Sequence, residues 1–345
     1  RPGSVVANRF EVVEQIAAGG MGIVYRVIDT ALNGEVVALK LLNPHISQDE
    51  TIFKRFLNEV LVARSLSHPN IVRTHDIGKT EKGLSYISME YIDGPTLGDM
   101  LDETYEQFHS SKRLSPGLYF DEALNIIINS LKGIAYAHSS GVIHRDLKPD
   151  NIMVTKKGDV KIADFGTARI VNANTSLTQD GSIMGTPDYM APEQIAGEKL
   201  DARCDIYALG IIGYEIMTAE KPFPGDNLVA VAYKHVNEPL PSFASEQLGI
   251  PQWYEDIIKK ATAKQRADRF QSAEEFAAAI LDEAPHLMQE SGVWPTMSSV
   301  SLPAYTSRIE KPKSLTREID DDPFTRELDS FRENIVSPAV SKKTT

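Results

Sequence analysis

Val142-Ile143-His144-Arg145-Asp146-Leu147-Lys148-Pro149-Asp150-Asn151 begins apolar, turns charged in its middle and carries a proline near its end. An apolar lead-in followed by charges reads as a loop held on a buried base. Residues 145–151 supply a carboxylate (Asp146), two cations (Arg145, Lys148) and a carboxamide (Asn151). Asp164-Phe165-Gly166 follows, and then Ala191-Pro192-Glu193. A lone His-Arg-Asp is a common surface run. Three such segments in this order carry the information.

On the N-terminal side, residues 10–42 alternate in strand fashion and are broken by the glycines at 19–22. Asn33-Gly34 predicts a hairpin turn, since both residues tolerate positive φ. Val36-Val37-Ala38-Leu39-Lys40 is the next strand. Gln48–Leu66 reads as a helix with apolar residues on one face. Strands near 71–77 and 84–91 complete a small, mostly antiparallel sheet with one helix.

After Asp93-Gly94-Pro95 the pattern turns helical. Phe120–Ser139 places Leu124, Ile127, Ile128, Leu131, Ile134 and Ala135 at helical spacing, which is core packing. The polar stretch 102–117 reads as a surface insertion between helices. Further helices are expected over 205–218, 225–237, 252–263 and 272–284. From Pro285 onward Ser, Thr and Pro rise and periodicity fades, so 285–345 is expected to be mostly tail. Within it, 322–335 reads as a short amphipathic helix behind Asp322-Pro323, with Phe324, Leu328, Phe331 and Ile335 on one face.

A chain of 345 residues is long enough for two lobes with real cores. A net charge of −12 argues against nucleic acid as the main partner. The single cysteine, Cys204, excludes an internal disulfide and reads as a small buried hydrophobe. No apolar run approaches the length of a membrane span, and no signal peptide is present. The chain starts at Arg1 rather than Met, as a fragment would. The histidines form no ligand cluster; His138 and His144 sit on apolar flanks as satisfied core residues, which argues against zinc.

The three ordered segments resemble the catalytic loop, metal loop and activation-segment end of protein kinases. Residues 10–284 are similar to a protein kinase domain, most of all to the bacterial eukaryote-like Ser/Thr kinases. The resemblance implies an α+β, bilobal fold, with a small lobe over 10–92 and a larger, mainly helical lobe over 93–284. It also implies ATP in the cleft. The phosphate-covering turn would be Ile16-Ala17-Ala18-Gly19-Gly20-Met21-Gly22-Ile23-Val24, with Ala17 where the family has its first glycine. Lys40 would reach the α- and β-phosphates and pair with Glu59. Met89 would be the gatekeeper. The carbonyl of Glu90 and the N–H of Ile92 would read the adenine edge, while Val24, Ala38 and Met153 would sandwich the ring. Asp146 would be the base and Lys148 would neutralise the γ-phosphoryl group. Asn151 and Asp164 would be hard oxygen ligands for magnesium, or manganese in its place. Glu193 and Arg269 would form a buried ion pair, and Asp205 would hold the catalytic loop from below.

Lys148 and Thr186 point to Ser/Thr rather than Tyr acceptors. The expected activity is therefore transfer of the ATP γ-phosphoryl group to protein Ser/Thr hydroxyls. The chain itself is among the expected acceptors, through Thr178 of the activation segment and a transient homodimer, with Asp180 a partial mimic of the phosphate. The expected place is the cytoplasm, including the cytoplasmic part of a membrane-anchored kinase. The alternative is a pseudokinase scaffold; of the expected motif positions only Ala17 departs.

Overall fold

The computed structural model describes residues 2–19, 22–44, 57, 60–61, 63–110, 117–165, 187–243 and 249–287. The chain divides into two units, Arg1–Trp294 and Pro295–Thr345, and every described residue belongs to the first. The expected helix at 322–335 lies outside the described residues.

The smaller lobe is a six-stranded antiparallel sheet in the order β1-β2-β3-β4-β6-β5. Its strands are β1 (Val5–Val6), β2 (Phe10–Gly19), β3 (Gly22–Asp29), β4 (Glu35–Leu42), β5 (Thr74–Lys79) and β6 (Ser85–Glu90). Phe10, Val12, Val27, Val37, Leu39 and Tyr86 form its buried core, with Phe10 edge-on to Tyr86 at 5.3 Å. Asn33 and Gly34 both take positive φ (54° and 82°), as their residue types allow. The connection is longer than a two-residue hairpin, because a 3₁₀ turn over Thr30–Leu32, capped by Asp29, precedes them. Residues 57, 60, 61, 63 and 64 are helical, within the span expected from the sequence.

β5 starts later than the pattern predicts. Residues 70–72 pair across the lobes instead. Ile162 N donates to Asn70 O at 2.9 Å and Val72 N to Ile162 O at 2.9 Å. The polar stretch after 102 also departs from expectation, because α1 (Leu97–His109) runs through its first half. A capping box between Thr96 and Asp99 starts this helix, and only Leu97, Leu101 and Thr104 are buried. Its polarity belongs to an exposed helical face, not to a loop.

The larger lobe is built on α2 (Phe120–Ser139) and α4 (Arg203–Thr218). Every residue of α4 from Cys204 to Thr218 is buried, so this helix lies at the centre of the lobe. Short α3 (Pro192–Ile195), then α5 (Leu228–Asn237), α6 (Gln252–Ala261) and α7 (Ala273–Glu283) complete it. Between α2 and α4 lies a two-stranded ladder, β7 (Ile152–Val154) with β8 (Val160–Ile162). Loops 142–151 and 163–165 flank this ladder and bring the charged segments together. No helix among the described residues is long and apolar enough to cross a membrane.

Candidate active site

The loop 142–151 is held by one carboxylate. Asp205, on α4 and 1% exposed, accepts from His144 N (Oδ2, 2.8 Å) and from Arg145 N (Oδ1, 2.8 Å). His138 Nε2 lies 2.8 Å from the same Oδ2. Burial alone would raise the Asp205 pKa; the His138 contact and the backbone donors more than reverse this and hold it below the usual carboxylate range. Arg145 takes φ 68°, a conformation that costs a non-glycine residue about 1 kcal/mol or more. The two bonds to Asp205 over-determine it.

His144, fully buried, links the two charged loops. Its Nε2 is 2.9 Å from Ala163 O, and its Nδ1 is 3.3 Å from Asp146 N. A carbonyl can only accept, so the proton sits on Nε2 and Nδ1 accepts from Asp146. The imidazole thus ties the backbone of Asp146 to the residue before Asp164, and the Phe165 ring packs edge-on against it at 4.6 Å. Sequence reading gave His144 only a core role. Asn151 Nδ2 donates to Asp146 O at 2.7 Å and approaches Asp146 Oδ2 at 3.4 Å, while Ala163 N donates to Asn151 O at 2.8 Å. Lys148 Nζ stands 3.8 Å from Asp146 Oδ2, and both side chains are open to solvent. Asp146, Lys148, Asn151 and Asp164 are therefore one neighbourhood.

Lys40, 5% exposed on β4, donates to both carboxylate oxygens of Asp164 at 2.7 and 2.8 Å. Burial pushes the Asp164 pKa up, and the Lys40 ammonium overrides it, leaving the group below the ordinary carboxylate value. Asp164 itself holds φ 60°. Glu59, the expected partner of Lys40, lies outside the described residues, as do Gly20, Met21, Thr186, Thr178 and Asp180.

Ala17, Val24, Ala38 and Met89 share the sheet face of Lys40. Ala17 pairs with Val24, Val24 with Lys40, and Ala38 with Met89, and cross-strand partners point to the same side. Ile16 and Ala18 lie on β2 beside Ala17, and Ile23 follows Gly22 on β3. Gly19 and Gly22 pair at the hairpin end. A Cβ at Gly19 would meet nothing within 4 Å, whereas one at Gly22 would sit 2.0 Å from Leu41 O. Gly19 leaves open space; Gly22 is required by the sheet itself. Met89 lines a cavity of about 30 Å³ that Asp164 and Phe165 also line. Ile92 is buried, and Met153, half-buried on β7, comes from the larger lobe. The Glu90 side chain is held away from any ligand role, with Oε1 2.6 Å from Lys161 Nζ.

Three further contacts complete the frame without an obvious sequence signal. Gln194 Nε2 donates to Arg145 O at 2.9 Å, joining α3 to the catalytic loop. Tyr189 Oη donates to Glu215 at 2.6 Å and Lys221 pairs with Asp188, which pin the 3₁₀ turn Pro187–Tyr189 to the larger lobe. Glu193 and Arg269 form a bidentate pair at 2.7 and 2.8 Å with 3% and 0% side-chain exposure, as expected.

The donor set suits a hard divalent cation. Asn151 commits its amide nitrogen to Asp146, so its amide oxygen is the end left for a metal, and Asp164 adds a carboxylate kept ionised beside a cation. Among the described residues there is no cluster of three or more His, Cys, Asp or Glu placed to hold a metal.

Comparison with known proteins gives the same picture. A family model described as "Protein kinase domain" matches residues 10–286. The chain is 40% identical over 273 residues to the probable serine/threonine-protein kinase PknB of Lactococcus lactis, covering 79% of this chain and 42% of that protein. It is 36% identical over 297 residues to the serine/threonine-protein kinase PknB of Mycobacterium leprae, covering 83% and 46%. The chain thus spans less than half the length of these relatives. The PknI kinase domain of Mycobacterium tuberculosis superposes with a TM-score of 0.62 at 29% identity, covering 82% of this chain and 98% of that one.

Proposed function

The chain belongs to the protein kinase family, and we propose that it transfers the γ-phosphoryl group of ATP to Ser or Thr hydroxyls of proteins. The observation that carries this reading is the bridge from Asp146 through His144 to Ala163, which brings a solvent-open carboxylate beside the Lys40–Asp164 pair.

In this reading, Asp146 accepts the proton of the acceptor hydroxyl and orients its oxygen for in-line attack. Lys148, near Asp146, faces the charge on the transferring group. Lys40 is buried and held by a carboxylate, which supports its role as the cation for the α- and β-phosphates. Asn151 and Asp164 are the residues that would hold magnesium, which when bound neutralises charge on the β- and γ-phosphate oxygens. Val24, Ala38 and Met153 give the adenine apolar faces, and the backbone of Glu90 and Ile92 its polar edge. The kinase domain is taken to span 10–284. Thr178 is the proposed site of autophosphorylation, and Thr186 a contributor to Ser/Thr selection.

The test is magnesium-dependent transfer from ATP to a Ser/Thr peptide, with Asp146→Asn as the decisive variant. The expected loss is about 10²–10⁴-fold with ATP binding retained. Turnover near that of the unaltered chain would remove Asp146 from its role. No turnover in the unaltered chain, with ATP still bound, would favour a scaffold.

A further inference from the structure

A cavity of about 430 Å³ is lined by Leu32, Glu35, Arg64, Arg73, Thr74 and His75. Arg64 follows the helical residues 60–61, and Arg73 and Thr74 lead into β5. Both arginines are exposed, and neither guanidinium has a hydrogen-bond or ion-pair partner among the described residues. Arg9 shows the contrast. It lies near the same strand, and its guanidinium is satisfied by Asp29 and Asp76 at 2.7 and 2.8 Å.

His75 adds an independent observation. The β5–β6 register runs Thr74↔Met89 and then Asp76↔Ser88, so His75 is the extra residue of a β-bulge. Bulges re-aim side chains. Here the Nδ1 of His75 is buried and meets no hydrogen-bond partner among the described residues. A buried polar atom without a partner costs about 1–3 kcal/mol; having no surface open to the cavity, it is not itself a ligand contact, and His75 enters the site as a lining residue. The one carboxylate in the lining, Glu35, makes no ion pair with either arginine. Two guanidinium forks, a hydroxyl and an imidazole therefore surround one concavity in a chain whose net charge is −12. A second cavity of about 470 Å³ shares Glu35, Arg73 and His75, and is lined beyond them by Tyr91, His68 and Pro69 among others.

We propose that Arg64, Arg73, Thr74 and His75 form a binding site for a phosphate monoester, with the phosphate between the arginines and the rest of the ligand in the second cavity. Guanidinium forks match tetrahedral oxyanions in a bidentate way that a single ammonium does not. The hydroxyl and the imidazole supply the further contacts that a monoester accepts. The four residues that would hold the phosphate are not among those assigned to ATP or to catalysis, and binding needs no turnover, so the proposal stands or falls independently of the kinase reading. The ligand is a small phosphorylated metabolite or a phosphorylated Ser or Thr side chain, which present the same group.

The experiment is calorimetric titration of the full chain, its cleft saturated with a non-hydrolysable ATP analogue. The probes are inorganic phosphate, O-phospho-L-serine and a phosphoserine peptide. Saturable one-site binding is expected. Arg64→Gln and Arg73→Gln should each weaken it about tenfold or more, the scale of one charge-assisted hydrogen bond. Transfer to a generic peptide and the melting temperature should be unchanged. The peptide binding more tightly than free phosphoserine would identify a phosphoprotein as the ligand; the reverse order would identify a metabolite. Absence of saturation, or binding unaffected in the double variant, would overturn the proposal. So would a double variant that alters sedimentation of the chain while no probe binds, because a second copy would then be the occupant.

Discussion

Lys40 sits in a strand whose neighbours are Leu39 and Leu41, and a buried ammonium there costs several kcal/mol unless it is paired. Asp164 supplies the pairing. Lys40→Met removes the ammonium that sets the phosphates, and the expected outcome is a loss of about 10²–10³-fold in peptide phosphorylation with an unaltered circular dichroism spectrum. Activity within a few-fold of the parent would show that another cation serves the phosphates. His235, fully buried on α5 with Nδ1 3.0 Å from Tyr207 Oη, gives a pH prediction. Burial, with Lys264 nearby, pushes its pKa down to about 3 from an ordinary 6.5. Between those values the unfolded chain binds a proton that the folded chain refuses, so stability falls as pH drops from 6.5 toward 3. Urea unfolding at pH 7 and pH 4.5 should show His235→Asn losing less stability on acidification than the parent, by up to a few kcal/mol. Equal losses in both would mean that His235 is charged in the fold. Of these residues the sequence marked Lys40 through the resemblance to protein kinases, since a lysine closing an apolar strand is ordinarily solvated, and gave no sign of His235; the structure carries the strand on to Leu42.

The β2–β3 hairpin shows how one element carries two kinds of glycine. Gly22 has φ 150° and no room for a Cβ against Leu41 O, so Gly22→Ala must displace β4, the strand that holds Lys40. Gly19 has space on all sides in the described structure. The expected outcome is a clear drop in melting temperature for Gly22→Ala, corresponding to about 1–3 kcal/mol, and almost none for Gly19→Ala. Any change in Gly19→Ala should appear in the KM for ATP. Equal melting temperatures for the two variants would contradict the close approach at Gly22. The sequence presents both glycines as parts of one phosphate-covering turn, since spacing does not reveal which backbone lies behind each of them. α1 teaches the converse. Its polar surface disguised the helix, because only Leu97, Leu101 and Thr104 are buried, and the Thr96–Asp99 capping box that starts it emerged only in the structure.

At the scale of the molecule, Arg269 and Glu193 join α3 to the turn before α7, across the larger lobe. Arg269 also donates to Ala263 O, Lys264 O and Arg203 O, so no donor direction is wasted on solvent. Removing one member leaves an uncompensated buried charge, which costs about 3–5 kcal/mol. Arg269→Met should therefore lower the unfolding free energy by about that amount in a urea titration. The double change Arg269→Met with Glu193→Gln should recover part of it. No recovery would place the effect in packing rather than in charge.

What the amino-acid sequence determined by itself is local. Residues 10–42 alternate, 120–139 repeat at helical spacing, Asn33-Gly34 turns, and the three charged segments stand in a readable order. Each of these follows from interactions within a few residues, and each is seen in the described structure or agrees with the family match at 10–286. What only the tertiary structure decided is which distant groups meet. Lys40 reaches Asp164 across 124 positions, Asp205 reaches His144 across 61, and Gln194 reaches Arg145 across 49. The bulge at His75 depends on a register slip between two strands. Periodicity reports the face a residue occupies relative to its own element. It carries no information on the partner that another element brings to that face, because this is set by how the layers pack.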